Sequence, residues 1–407
     1  SSHFGPKRWH QGPKLAGGAE DPCSRGWGAP ARTSRSTSQV MGNDDCYCCT
    51  SRADKEEGDA ENSASGDVEA TSVFAEKEPA MPTREAECIL RCKNELGESV
   101  LWCPRQQRLY WLDLSKQELW SLEPKEAVPA RQAVDMGWQG GCLALRQNGG
   151  FVVCSALGIG LLDESEVQND GPRLSPRIVC HPIESEGLDS DVVRLNNGRV
   201  DPQGRLVVGA YHSKYEDFTD GLGGVADATA RQDPRGGVYR VSVTSSYLWG
   251  PTGHLEVLSG LGKVSVANGT AFFREEDGQH VMYLVDSPTR RVRSFRYSDT
   301  LSGETSVTEP LFHQGNPDGA CLDSEGGYWI TEFGGGRVLR IKDGMVSMVV
   351  QVAAPMVTCC AFGGPDLDVL YITTALRKDP KPSDRSGGLF ACHGTGYRGM
   401  PENYFDG

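Results

Sequence analysis

Long apolar stretches are missing from this chain. The nearest approach to one, Met345–Phe362, is interrupted by Ser347, Gln351, Pro355 and Thr358, so no transmembrane helix is expected. A positive balance is missing too: 41 Lys and Arg against 55 Asp and Glu leave a net charge of -14, which argues against nucleic acid or an anionic membrane surface as a partner of the folded part. No helical period sustains itself in the interior of the sequence. The 14 cysteines make no framework: four (Cys23, Cys46, Cys48, Cys49) lie near the N-terminus, ten are scattered, Cys359 and Cys360 are adjacent, and no Cys/His spacing suggests zinc. Small buried thiols in a reducing, cytoplasmic compartment are the expectation.

Residues 1–86 are rich in Ser, Gly, Asp, Glu, Arg and Pro, with too few aliphatics to offset their ordering entropy, so they are expected to be a disordered extension ahead of one folded domain over 87–407. The stretch Ser1–Gln39 has the Arg and Ser of an organelle transit peptide but little amphipathic order. Met41-Gly42-Asn43-Asp44-Asp45-Cys46-Tyr47-Cys48-Cys49 would give a doubly acylated anchor at Gly42 and its cysteines if translation starts at Met41. Cys46 departs from the Ser/Thr preference at its place, and a linker with incidental cysteines is the plainer reading.

What the sequence does have is 50 glycines and a repeat. Gly315-Asn316-Pro317-Asp318-Gly319, a short apolar strand to Leu322, the turn Asp323–Gly327 and the aromatic strand Tyr328-Trp329-Ile330 make one hairpin unit. Similar units fall at Ser99–Asp113, Cys142–Cys154, Val200–Ala210, Thr270–Asp286 and Ala361–Thr374, spaced roughly 40 to 75 residues apart, the range of propeller blades with loop insertions. The fold expected is all-β, a six-bladed β-propeller.

Register then locates a site. About five residues before each polar turn stand Glu98, Gly141, Asn196, Asn268, Asp318 and the pair Val357-Thr358. In a propeller the first strand of every blade lines the central channel, so these positions converge although they are far apart in sequence. Taken singly, Asn196-Asn197-Gly198, Asn268-Gly269 and Asp318-Gly319 read as turn dipeptides. Taken together, two carboxylates and two amides at one mouth would repel and dehydrate at considerable cost unless a hard divalent cation sat between them.

Several stretches resemble one family: Leu96-Gly97-Glu98-Ser99-Val100-Leu101-Trp102, Arg108–Asp113, Arg194–Arg205, Asp286-Ser287-Pro288-Thr289-Arg290-Arg291-Val292, Pro317-Asp318-Gly319 and Cys359–Asp366 are similar to the regucalcin / gluconolactonase / luciferin-regenerating enzyme family, in order from about Ala86 to Gly407. The resemblance implies a six-bladed propeller that binds one divalent metal on its axis and hydrolyses sugar lactones. It implies Glu98, Asn268 and Asp318 as metal ligands, with Arg194 and Asn196 as the substrate-contacting pair. Arg194 and Asn196 are two residues apart, so on a strand they face the same way.

Oxygen-only ligands favour Ca2+, Mg2+ or Mn2+, although three ligands plus waters also accept Zn2+. Asp318 is the expected general base, with the metal polarising the lactone carbonyl. Two departures from the family stand out. Asn197 replaces a common Asp, and the long segment Tyr211–Gly236 holds Lys214, Glu216, Asp217 and Asp220 where vertebrate members place a substrate-binding Glu soon after the strand. No single residue here aligns with that Glu, so the lactone is left open and the segment is expected to be a lid or pocket wall. The competing expectations are a lactonase or esterase for non-sugar substrates, a non-enzymatic Ca2+-binding regulator and a plain interaction propeller.

Overall fold

The computed structural model describes residues 81–125, 129–134, 141–168, 173–212, 235–246, 250–307, 311–377 and 384–407. The expectations for the N-terminal extension up to residue 80, the Met41-Gly42 motif included, and for residues 213–234 of the Tyr211–Gly236 segment lie outside the described residues.

Nearly all of the regular secondary structure among the described residues is strand; the helices are the short turns Glu164–Gln168 and Pro182–Ser185 and the 3-10 turns Ser259–Leu261 and Ser287–Thr289. All six expected hairpins are present. Their first strands are Gly97–Cys103, Leu143–Leu145, Val193–Val200, Ala267–Arg274, Asn316–Leu322 and Val357–Gly363, each paired antiparallel with the strand that follows. The connecting turns are built as their sequences require. In Asp201-Pro202-Gln203-Gly204, one Asp201 oxygen accepts the N–H groups of Gln203 and Arg205 at 2.9 Å each while Gly204 takes φ +77°. Asp323 does the same for Glu325 and Gly327, with Gly326 at φ +78°.

Two further strands extend each hairpin outward into a meander, and in the first sheet Arg173–Leu174 adds a fifth strand, parallel to Pro129–Val134. The last meander is completed from the other end of the chain: in the strand Thr83–Leu90, Glu87–Leu90 pairs antiparallel with Leu389–Ala391, and Thr83–Ala86 pairs parallel with Val349–Val352. That strand fuses the last two meanders into one eight-stranded sheet. It buries little of itself, only Ala86, Cys88 and Leu90 packing partly against the core, and its backbone hydrogen bonds on both edges do the rest.

The first strands touch one another in cyclic order, the sixth returning to the first. Hydrophobic clusters fill the space between consecutive sheets. Val152, Leu161 and Leu195 pack with Tyr239 between the second and third, and Trp102, Trp111 and Trp120 pack with Tyr371 and Leu389 between the first and last. Burying an aromatic as completely as Trp111, at 0 % exposure with Nε1 donating to Asn94 Oδ1, contributes about 3 kcal/mol. The arrangement is propeller-like. The ten cysteines among the described residues are all free, and Cys142, Cys154, Cys321, Cys359 and Cys360 are buried.

Candidate active site

Five of the six first strands lose register with their partners at the same place, the β-bulges falling between Glu98 and Leu101, Leu195 and Gly198, Asn268 and Ala271, Pro317 and Ala320, and Val357 and Cys359. A bulge turns a side chain out of the pleat. Four of these five bulges hold or border an oxygen-bearing candidate: Glu98, Asn196, Asn268 and Asp318. The backbone pays attention to the same point: Ser99 and Gly269, one residue after Glu98 and Asn268, both take left-handed φ, at +54° and +59°. In Ser99 this is unusual for a side-chain-bearing residue, and its N–H donates to Glu98 Oε2 at 2.7 Å.

The strand ends are tied to one another around this mouth. Ser99 Oγ donates to Gly141 O, Asn196 Nδ2 to Ala267 O at 2.9 Å, Ser287 Oγ to Pro317 O at 2.7 Å, Thr331 Oγ1 to Thr358 O at 2.9 Å, and Thr358 Oγ1 to Gly97 O at 2.5 Å. Gly141 and Thr358, which share the register of the candidates, thus serve the ring and not the cavity. A Cβ on Gly141 would lie 2.6 Å from Asn196 O, so the close approach of two strands demands glycine there.

A cavity of about 150 Å3 opens at this mouth, lined by Glu98, Arg194, Asn196, Asn268 and Asp318, together with Tyr211, Ser287 and Phe333 among others. All five sequence-derived site residues therefore share one cavity. Arg194 is buried with its guanidinium 4.0 Å from the centre of the Tyr211 ring, its cross-strand neighbour, and its Nη1 lies 3.5 Å from Asn196 Oδ1. Asn196 Nδ2 also donates to Asn268 Oδ1 at 3.2 Å.

Ser287 was not singled out as a site residue, yet it sets the orientation of Asn268. Its one hydroxyl proton goes to Pro317 O, which can only accept, so Ser287 Oγ accepts from Asn268 Nδ2 at 2.9 Å. That leaves Asn268 Oδ1 turned to Asn196 and the cavity. Asn197, by contrast, is buried and accepts the Thr270 N–H at 3.2 Å, a role in joining strands. Of the two histidines near this end, His212 is buried and His313 exposed.

The electrostatics are unusual for buried carboxylates. Glu98 is 8 % exposed, and burial pushes its pKa up to about 7 against the opposing pull of the Ser99 N–H and the Arg199 and Arg194 charges. Asp318 is raised well above the carboxylate range, first by burial and then by the Glu98 charge, with the Gly319 N–H opposing. For Asp318 no positive side chain offsets the neighbouring Glu98 charge, whereas Glu98 feels the more distant pull of Arg199 and Arg194. Among the described residues no three His, Cys, Asp or Glu side chains group to hold a metal. The donor set is instead two carboxylates and the amide oxygen of Asn268, hard oxygens that fit Ca2+, Mg2+ or Mn2+ and accept Zn2+.

A propeller-like ring of meanders thus gathers acids, amides and one arginine at the mouth of a concave cavity, a lining of the kind that suits a small molecule. Residues 96–376 match the model of the SMP-30/Gluconolactonase/LRE-like region, and the chain belongs to that family. It is 32% identical over 294 residues to a 6-deoxy-6-sulfogluconolactonase of Pseudomonas putida, covering 71% of this chain and 86% of that one. It is 28% identical over 344 residues to a regucalcin of Danio rerio, 80% of this chain and 100% of the other. A solved structure described as a calcium-binding protein, regucalcin, from Agrobacterium tumefaciens superposes with a TM-score of 0.63 at 22% identity, over 80% of this chain and 98% of that one, which is a likeness of fold.

Proposed function

We propose that this chain is a metal-dependent lactonase that opens sugar lactones, built as a six-bladed propeller over residues 87–407 with one divalent cation on its axis. The observation that carries the reading is the pair Glu98 and Asp318, two buried carboxylates that share a cavity, both with their pKa raised by burial and Asp318 further by the Glu98 charge. The names of the lactonase relatives support the substrate class.

Glu98, Asn268 and Asp318 would hold the cation, which supplies Lewis acidity toward the lactone carbonyl when bound. Asp318 takes the proton of the attacking water as its oxygen bonds to the carbonyl carbon, and that proton goes on to the ring oxygen as the ring C–O bond breaks. Arg194 and Asn196 hold the sugar hydroxyls and fix the orientation of the ring. Arg194 is suited to this because its position over Tyr211 and beside Asn196 limits its freedom before substrate arrives.

The test is hydrolysis of a panel of aldonolactones by chelated protein with Ca2+, Mg2+, Mn2+ or Zn2+ restored in turn. Loss of activity on chelation and its return with at least one metal is the expected result. Turnover that survives chelation, or no sugar lactone opened with any metal, overturns it. Metal binding without hydrolysis would favour a Ca2+-binding regulator, and turnover confined to aliphatic or aryl lactones would favour a non-sugar hydrolase.

A further inference from the structure

The opposite end of the first strands carries a second cavity, of about 240 Å3, enclosed in part by the C-terminal segment and lined by Arg199, Phe272, Leu322, Phe362, Met400 and Glu402. Arg199 is 6 % exposed, so its guanidinium has been taken almost entirely out of bulk water. Its hydrogen bonds use only part of its fork, and an ion pair with Glu402 offsets its charge at longer range. Nη2 donates to Ala320 O at 3.1 Å and lies 3.8 Å from Cys359 Sγ, while Nη1 is 3.9 Å from Glu402 Oε1, too far for a hydrogen bond. Among the described residues, Nε and Nη1 therefore have no hydrogen-bond partner, although a guanidinium offers five N–H donors in a fixed fork.

We propose that this far cavity is a second ligand site, which takes a small carboxylate with a compact apolar body. The fork of Arg199 matches a carboxylate with two parallel N–H···O bonds, which would use the Nε and Nη1 donors that make no hydrogen bond here. Phe272, Leu322, Phe362 and Met400 supply apolar wall for the body of the ligand. Arg274 and His280 line the same cavity, so its charge is positive or balanced against Glu402 even before a ligand enters. Glu402, with its side chain 26% exposed, stands where a ligand carboxylate would and moves aside toward solvent at small cost. The proposal does not rest on the lactonase reading: no residue lines both cavities, although the Arg199 charge also reaches Glu98.

The probe is benzoate, including a fluorinated form, titrated into the full-length protein and followed by 19F NMR and melting temperature. Saturable binding is expected at low-millimolar concentration. Arg199→Met should weaken it more than tenfold, and Glu402→Gln, which removes the internal competitor, should tighten it a few-fold. Arg194→Met at the other mouth should leave it unchanged. Benzoate binding that persists in Arg199→Met, weakens in Glu402→Gln or vanishes in Arg194→Met would overturn the proposal. Should Arg199→Met fail to fold, the Glu402→Gln titration together with nuclear Overhauser contacts from the fluorinated probe to Phe362 and Met400 decides: no contacts, no site.

Discussion

Asp318 and Asp323 stand five residues apart at opposite ends of one strand and its turn, and they show two ways of using a carboxylate. Asp323 is fully buried, yet every lone pair is engaged: it accepts the N–H groups of Glu325 and Gly327, Trp329 Nε1 at 2.8 Å and Arg340 Nε at 2.7 Å. Asp318 faces Glu98 with only the Gly319 N–H to favour its charge. The far end is also covered: the segment Gly399–Gly407 crosses it, with Met400 N–H bound to Leu322 O, Phe405 N–H to Leu145 O and Asp406 N–H to Gly204 O. A buried acid that has its donors serves the fold; one that lacks them is held in readiness for something that arrives from solution.

The largest effect should come from Asp318→Asn. Its removal of the general base should lower kcat for lactone opening by about 10^3-fold. The same change should raise the melting temperature of the chelated protein, because it removes one member of a repelling pair. The pH dependence sharpens the contrast. Both acids keep their protons to higher pH in the folded state than in the unfolded chain, so folding takes up protons and the chelated protein loses stability as pH rises from the ordinary carboxylate range through about 7. Restoring the cation should flatten that slope, and Asp318→Asn should reduce it. A chelated wild type that becomes more stable over this range would show that the two acids are not a repelling pair.

Asp323→Asn tests the other half of the comparison. An amide keeps one acceptor oxygen but brings an NH2 against Arg340, whose guanidinium is also buried, and breaking such a pair costs about 3 kcal/mol. Denaturant unfolding should report that loss while kcat and KM stay at wild-type values. A selective fall in kcat at unchanged stability would mean that the far turn reaches the chemistry, and the division between the two ends would fail.

Much of this division is legible in the residues themselves. The turn chemistry of Asp201–Gly204 and Asp323–Gly327 fixes the far end of each hairpin, and counting back from it reaches Glu98, Asn196, Asn268 and Asp318, which the structure gathers into one cavity. The same count also reaches Gly141 and Thr358, and nothing in the pattern separates them from the site; their work is a strand contact and a hydrogen bond to Gly97 O, both made by distant parts of the chain. The strand Thr83–Leu90 carries only a short, weak alternation, Ala86, Cys88 and Leu90 half-buried against the core, too little to betray a strand paired at the outside of the ring. Tyr211 and Ser287 were hidden for another reason. Each acts on a neighbour, Arg194 or Asn268, and an orienting contact carries no signature of its own in a single sequence.

Ser287→Ala gives the smallest and most discriminating effect. Without the hydroxyl, Asn268 Nδ2 loses its acceptor and Pro317 O loses its donor, so the Asn268 amide is free to turn its NH2 toward the cavity. The stability cost of the lost bonds is about 1 kcal/mol, and on the proposed metal reading the affinity for the divalent cation should fall about tenfold or more, the effect of removing an orienting partner behind a metal ligand. With Asn268 as the proposed metal ligand, Ser287 would orient it without touching a reacting atom, so raising the metal concentration should restore kcat fully, whereas Asp318→Asn should not be rescued. Calorimetric titration of the chelated variant, followed by kcat at saturating metal, separates the two. A deficit in kcat that persists at saturation would move Ser287 from orienting Asn268 to taking part in turnover itself.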